Sequence, residues 1–348
     1  MTTFCNALIP SRGGLWAAGA TALALIGLHA PVQAQDLQER KIKFAYAVAK
    51  DNPIGLAVER YAQLASTKSG GKIKVTGYGN ATLGNEIQSM SSAQGGILEM
   101  TVVSTAGAAG NVKELAVFDL PFLFRSEKEA DAVLDGEVGQ MLLKKFSEKS
   151  LIGLCYLDYG FRQVTNSKHP IRRLEDFRDL KLRTLQNRVY IDVFKALGAT
   201  PLPLPFPETY SALETKAIDG QESSYLVTRS SSFHDIQSYL TETRHVYLPA
   251  VVLVSKKFWD RLSPAEHEVL ASSCKETQAY HRDISRAMEK GVVQDLVKSG
   301  MKFNTLDPAE LARMQQATAS VVDKYKPELG LELVNKTLAT IDKVRKNP

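Results

Sequence analysis

Short apolar runs alternate with helix-length segments along most of this chain, and that rhythm leaves few architectures open. Ile42 to Ala49 reads as a buried strand. Pro53 to Lys68 reads as a helix closed by Gly70-Gly71, and Lys72 to Tyr78 as a second strand in which Ile73 and Val75 alternate with polar neighbours. The βαβ unit repeats loosely: a helix over Asn85 to Ala93, a strand over Leu98 to Ser104, a helix over Ser126 to Lys149 and a strand over Leu151 to Tyr156. Such alternation predicts a mostly parallel sheet covered by helices on both faces.

A second alternating block begins near Gly160. Its strands fall around Arg162 to Asn166, Lys181 to Leu185 and Pro201 to Leu204, and a helix over Val189 to Leu197 ends at Gly198. A short helix, Pro207 to Thr215, comes next, and Val251 to Ser255 reads as a strand returning to the first sheet. Asp219-Gly220-Gln221-Glu222-Ser223-Ser224-Tyr225 is polar and turn-rich and reads as a loop. Ser263-Pro264-Ala265-Glu266 then combines an N-cap, a first-turn proline and a capping-box acid. If continuous to Lys298, that helix would be about 50 Å long at ~1.5 Å per residue, enough to brace two lobes. A break at Gly291 would give two ordinary helices instead.

The first thirty-four residues have the parts of an export leader: Arg12 in a polar start, the apolar run Leu15 to Leu28 and a small-x-small site at Val32-Gln33-Ala34. Cys5 precedes the apolar run, in the wrong place for a lipid-modified first residue. The run is shorter than the roughly 20 residues a spanning helix needs, and no later segment is as apolar, so no membrane insertion of the mature chain is expected. About 314 residues remain, beyond what one core usually serves, so two lobes are expected. The formal net charge of +5 is modest, and the basic residues are interspersed with acids, which excludes nucleic acid as the partner and leaves a small anion open. Cys155 lies in an apolar strand-like run and Cys274 in a helical pattern. The compartment permits a disulfide, but they read as two buried thiols.

Enzymatic chemistry has no visible centre. Gly77-Tyr78-Gly79 lacks the third glycine of a dinucleotide fingerprint, since Thr82 occupies its place. His267-Glu268 starts like a zinc-protease helix, but Ala271 stands where the second histidine must be. No cofactor and no metal is called for. Two arginines in strand-like stretches, Arg162 and Arg183, have the planar fork that meets a carboxylate with paired hydrogen bonds. Phe206 and Tyr210, at the start of a short helix, are core residues by default and can form an apolar wall.

Taken in order, these segments resemble the substrate-binding proteins of tripartite ATP-independent periplasmic (TRAP) transporters, the group that includes dicarboxylate and sialic-acid receptors. The likeness runs through Gly70-Gly71-Lys72-Ile73, Leu83-Gly84, Phe118-Asp119-Leu120-Pro121-Phe122, Gly160-x-Arg162-x-x-Thr165-Asn166, Leu180-Lys181-x-Arg183, Phe206-x-Glu208-x-Tyr210-x-Ala212-Leu213 and Asp219-Gly220-Gln221-Glu222. The resemblance implies an α/β, two-lobed periplasmic binding protein with hinge strands and a long helix spanning both lobes, which favours the unbroken reading after Ser263. The implied divisions are 1–34 as leader, 35–159 with 249–288 as lobe I, and 160–248 with 289–348 as lobe II. By the same resemblance Arg183 is the carboxylate clamp and Arg162 its supporting cation, while Glu86, Ser104, Gln186 and Phe206 line the pocket.

One departure concerns the ligand. Relatives usually continue Asp-Gly-Gln-Glu with Asn-Pro, where this chain has Ser223-Ser224, so the carboxylate would rely on Arg183 and water, or on Tyr225. The implied function is capture of a small organic acid in the periplasm and delivery to a TRAP-type membrane permease. The ligand would be a sugar acid, a dicarboxylate, or a hydroxy, keto or aromatic monocarboxylate. The competing readings are a periplasmic enzyme using Glu86 or Glu208 as a base, and a receptor that engages a sensor protein.

Overall fold

A computed structural model describes residues 37–347 of the chain, so the export leader lies outside the described residues. Its strands are β1 (Arg40–Ala45), β2 (Ile73–Tyr78), β3 (Met100–Ser104), β4 (Leu151–Phe161), β5 (Gln163–Asn166), β6 (Lys181–Thr184), β7 (Thr200–Pro203), β8 (Gly220–Ser223), β9 (Tyr239–Glu242), β10 (Tyr247–Ser255) and β11 (Lys302–Thr305). They form a five-stranded sheet of order β2-β1-β3-β10-β4 and a six-stranded sheet of order β11-β9-β5-β8-β6-β7. The chain passes from one sheet to the other at Arg162, between β4 and β5, and returns between β9 and β10.

Both sheets are mixed, where the alternation predicts mostly parallel ones. β10 runs against β3 and β4, and β5 runs against β8 and β9. The returning strand β10 enters the first sheet in the opposite sense to its neighbours. It is buried along its whole length, Tyr247 to Ser255, and each of its fully buried apolar side chains contributes on the order of 1.5–3 kcal/mol.

Local signals account for the first helix, Pro53–Lys68: Asn52 accepts from the Ile54 amide and Pro53 occupies the first turn. The expected helix from Ser126 to Lys149 is two helices, Glu127–Asp135 and Glu137–Lys145, because Gly136 adopts extended backbone between them. The segment 219–225 is a correction. It holds the buried strand β8 and opens the helix Tyr225–Ser230. Gly220 presses so closely on β5 that a Cβ there would lie 2.1 Å from the Thr165 carbonyl oxygen.

The capping box at Ser263 forms as its residues indicate, with Glu266 N–H donating to Ser263 Oγ (3.2 Å) and Ser263 N–H to Glu266 Oε2 (2.8 Å). The helix runs over Pro264–Glu289, about 39 Å at ~1.5 Å per residue. It packs on the first helix and β4, and also meets the helix Tyr225–Ser230. It does not continue to Lys298. Gly291, at φ +90°, ends it, and a separate helix Val292–Lys298 packs on Tyr225–Ser230.

Cys155 and Cys274 are joined in a disulfide rather than left as two thiols, because β4 and the long helix meet with these Cα atoms 5.9 Å apart. Among the described residues no helix is long and apolar enough to cross a membrane.

Candidate functional site

Where the two sheets face each other, side chains from both line a narrow cavity of about 30 Å³. Six of the residues singled out from the sequence line it: Arg183, Arg162, Phe206, Ser223, Glu86 and Ser104. Gln186 lines its continuation, which shares Glu86, Arg183 and Phe206. Tyr225 does not line it; its ring lies 6.5 Å from Phe303 in a separate small core with Leu240 and Val292. Two residues beyond Ser223 and already in the next helix, Tyr225 is carried away from the cavity by the turn at Ser224. A larger hollow of about 320 Å³ bordered by Lys113, Arg188, Tyr325 and Glu328 has an exposed charged rim, where Arg188 and Glu328 pair with each other at 3.0 Å.

Arg183 comes from β6 and is only 1% exposed. Its Nε and Nη2 both donate to the Leu204 carbonyl, at 3.0 and 2.8 Å, and its guanidinium lies 5.8 Å from the Phe206 ring centre. Nη1 is buried without a partner. Burial pushes its pKa down to about 10, with the Glu222 charge opposing and that of Arg162 adding to the fall. It stays a cation at neutral pH, and one whose outer edge asks for an acceptor.

Arg162 is built differently. Its Nε and Nη2 donate to the Glu222 carboxylate, the latter at 2.9 Å to Oε1, and Nη2 also donates to the Glu222 carbonyl. His245 Nε2 lies 3.3 Å from Glu222 Oε2, and its Nδ1 lies 2.8 Å from Thr243 Oγ1. Burial lowers the His245 pKa, more than Glu222 raises it, so the ring is neutral at pH 7; Nε2–H donates to Glu222 and Nδ1 accepts from Thr243. Burial alone would raise the Glu222 carboxyl, but the Arg162 charge and the hydrogen bonds from His245 and Arg162 hold it below the usual range. The Arg162–Glu222 pair is thus electrically closed.

The opposite wall belongs to the first sheet. Glu86 opens the helix Glu86–Gly95, whose cap Asn85 makes a reciprocal capping box with Gln88. Glu86 Oε1 accepts from the Ser104 amide (3.0 Å) and from Tyr159 Oη (3.1 Å), and Oε2 accepts from Ser104 Oγ (2.5 Å). Burial and the Glu86 charge hold the Tyr159 phenol well above its ordinary pKa, as a neutral donor. Glu208, the other candidate base, is exposed in the turn before Thr209–Glu214. Ser223 Oγ meets Thr228 Oγ1 at 3.2 Å, and Ser224 caps the helix Tyr225–Ser230, so the turn keeps a local anchor without proline.

Sequence reasoning misses Tyr159, Glu222 and His245 as parts of the site. Extending the Leu151 strand past Tyr156 with its alternation intact finds Tyr159, whereas Glu222 stands in the Asp219-Gly220-Gln221-Glu222 motif without any sign of its partner Arg162 until β5 and β8 are paired.

Two α/β sheets facing across a cavity lined by a buried arginine without a carboxylate partner have the layout of a solute receptor. Residues 44–328 match the bacterial extracellular solute-binding proteins, family 7, and the chain belongs to that family, the solute receptors of TRAP transporters. It is 32% identical over 284 residues to the 2,3-diketo-L-gulonate-binding periplasmic protein of Escherichia coli K12, covering 82% of this chain and 86% of that one. It is 31% identical over 319 residues to the C4-dicarboxylate-binding periplasmic protein of Rhodobacter capsulatus, covering 91% and 94%. The crystal structure of the sugar acid binding protein from Advenella mimigardefordensis in complex with galactonate superposes with a TM-score of 0.87 at 42% identity, over 88% of this chain and 99% of that one. A TRAP solute-binding protein from Polaromonas sp JS666 bound to D-erythronate superposes with a TM-score of 0.83 at 33% identity, over 86% and 99%.

Proposed function

We propose that this chain captures a small organic acid in the periplasm and delivers it to a TRAP-type membrane permease. The acid enters between the lobes, its carboxylate replaces the missing partner of Arg183 Nη1, and Phe206 covers an apolar face of the ligand. The observation that carries this reading is the buried guanidinium of Arg183, which has no carboxylate partner, keeps Nη1 unpaired and belongs to a residue that lines the cavity between the sheets. Galactonate and D-erythronate, the ligands of two similar receptors, each offer one carboxylate for it.

Because Arg183 belongs to the second sheet and Glu86 packs on the first, a ligand touching both favours the closed arrangement, and the permease reads that state. Only contacts unequal between open and closed states shift the balance. The divisions 35–159 with 249–288 and 160–248 with 289–348 are the proposed moving bodies, with the leader 1–34 removed on export.

Isothermal calorimetry with sugar acids, dicarboxylates and monocarboxylates tests the reading. A ligand at 100 times its dissociation constant raises stability by about 2.7 kcal/mol, so thermal shift can screen the panel first. Arg183→Ala is expected to lower affinity at least tenfold with folding intact. No binding across the panel, or unchanged affinity in the variant, overturns the proposal.

A further inference from the structure

The reading of Arg183 as the carboxylate clamp, on which the present inference rests, leaves the far wall of the same cavity unexplained. The charges lining the cavity are not all available to a ligand. Arg162 is neutralised by Glu222 through two guanidinium nitrogens. Arg162 Nη1 has no hydrogen-bond partner, but its charge is balanced; among the charged residues lining the cavity that leaves Arg183 as the cation without a carboxylate partner and Glu86 as the carboxylate without a cation.

Glu86 is held firmly. The Ser104 amide, the Ser104 hydroxyl and Tyr159 all donate to it, and Gly107 makes room for it, since a Cβ there would lie 2.8 Å from Oε2 and 3.1 Å from Ser104 Oγ. These three partners fix both carboxylate oxygens of Glu86 in place. Facing the cavity, such a group can accept from a ligand but repels an anion, and among the described residues no second cation without a carboxylate partner lines the cavity to offset that repulsion.

We infer that Glu86 is a specificity-determining residue that admits acids with one carboxylate and a tail of hydroxyl donors, and rejects a second carboxylate at the tail. The clamp reads the acid; Glu86, oriented by Ser104 and Tyr159, reads what the other end may carry. Discrimination of this kind works by penalising the wrong ligand as much as by rewarding the right one.

The test uses D-galactonate and galactarate, which share a six-carbon hydroxylated chain and differ in whether the far end is a hydroxymethyl group or a carboxylate. Calorimetry on the full mature chain is expected to show galactonate binding at least tenfold tighter than galactarate. In Glu86→Gln, which keeps size and an acceptor but removes the charge, the ratio is expected to narrow at least fivefold. Wild-type protein that binds galactarate as tightly as galactonate overturns the inference without recourse to a variant. A ratio unchanged in folded Glu86→Gln, while Arg183→Ala still loses binding, also overturns it and leaves the clamp standing. Failure of wild-type protein to bind either acid, or any other in the panel, overturns the clamp reading and this inference with it.

Discussion

Arg162 and Arg183 lie on either side of β8 in one lobe, both buried, and differ in what meets them. Arg162 finds a carboxylate from its own fold, which His245 also meets, although its Nη1 has no hydrogen-bond partner. Arg183 finds one backbone carbonyl and keeps a nitrogen bare. Burying a charge is costly, and the fold offsets that cost locally for the first arginine and leaves part of it uncompensated at the second. The difference separates a residue whose charge is balanced within the sheet from one whose charge has no carboxylate partner in the fold.

The sharpest way to break this contrast is to unpair Arg162. Glu222→Ala strands a buried guanidinium and is expected to destabilise the fold by about 3–5 kcal/mol. Urea unfolding of the unliganded protein measures it, and a loss below about 1 kcal/mol would mean that solvent already reaches the pair.

Asp119 extends the contrast to carboxyls. Like Glu222 it is fully buried, but its side-chain partner is the amide of Asn187 (2.9 Å), and burial raises its pKa from the ordinary 3.8 to about 7. The native state therefore keeps a proton that the unfolded chain releases, so this group's contribution is fully present below about pH 4 and is lost as pH rises through 7. Asp119→Asn preserves an acceptor for Asn187 and should flatten stability between about pH 4 and 7.5 by roughly 4 kcal/mol, at about 1.4 kcal/mol per unit. Equal slopes for variant and wild type, from urea unfolding across that range, would contradict the assignment.

For Arg183 the expectation runs the other way. Arg183→Met, which fills the space without the charge, should change unliganded stability by less than about 1 kcal/mol while reducing acid affinity by about 2 kcal/mol, the loss of charge-assisted hydrogen bonding. A stability loss as large as that of Glu222→Ala would make both arginines structural.

Much of this arrangement is legible in the sequence where one residue's environment is set by its near neighbours. The strand, helix and strand from Arg40 to Tyr78 come from periodicity and the Asn52-Pro53 cap, and Ser263-Pro264-Ala265-Glu266 announces the long helix. Its end is not legible, because Gly291 inside a helical pattern can be a tolerated residue or a stop, and packing against Tyr225–Ser230 decides. Strand β8 is illegible for a related reason. Gly220 to Ser223 looks like a loop until Gln221 Nε2 donates to Thr165 (2.9 Å) and Glu222 receives Arg162, partners more than fifty residues away. The Cys155–Cys274 link depends likewise on how a helix lies on a sheet. Resemblance singles out Arg183; its bare nitrogen is visible only in the fold.

The smallest expected effect belongs to Asn187, which ties the two walls together away from the clamp. It caps the helix Arg188–Ala196 by accepting from the Val189 amide (2.8 Å), and its amide donates to the Ala106 carbonyl (3.0 Å) and to Asp119 (2.9 Å), both in the segment after β3. Asn187→Asp keeps the cap, because a carboxylate accepts as well as an amide oxygen, but removes both donors. Net hydrogen bonds of this kind contribute about 0.5–1.5 kcal/mol each, so acid affinity should fall up to about tenfold, by way of the closure proposed above and not through any ligand contact. The loss should deepen as pH rises, since the new carboxylate faces Asp119 as that group ionises. Calorimetry at pH 5.5 and 8 separates the outcomes: an affinity equal to wild type at both would show that Asn187 merely caps its helix, and that Arg183 and Glu86 alone couple the two walls.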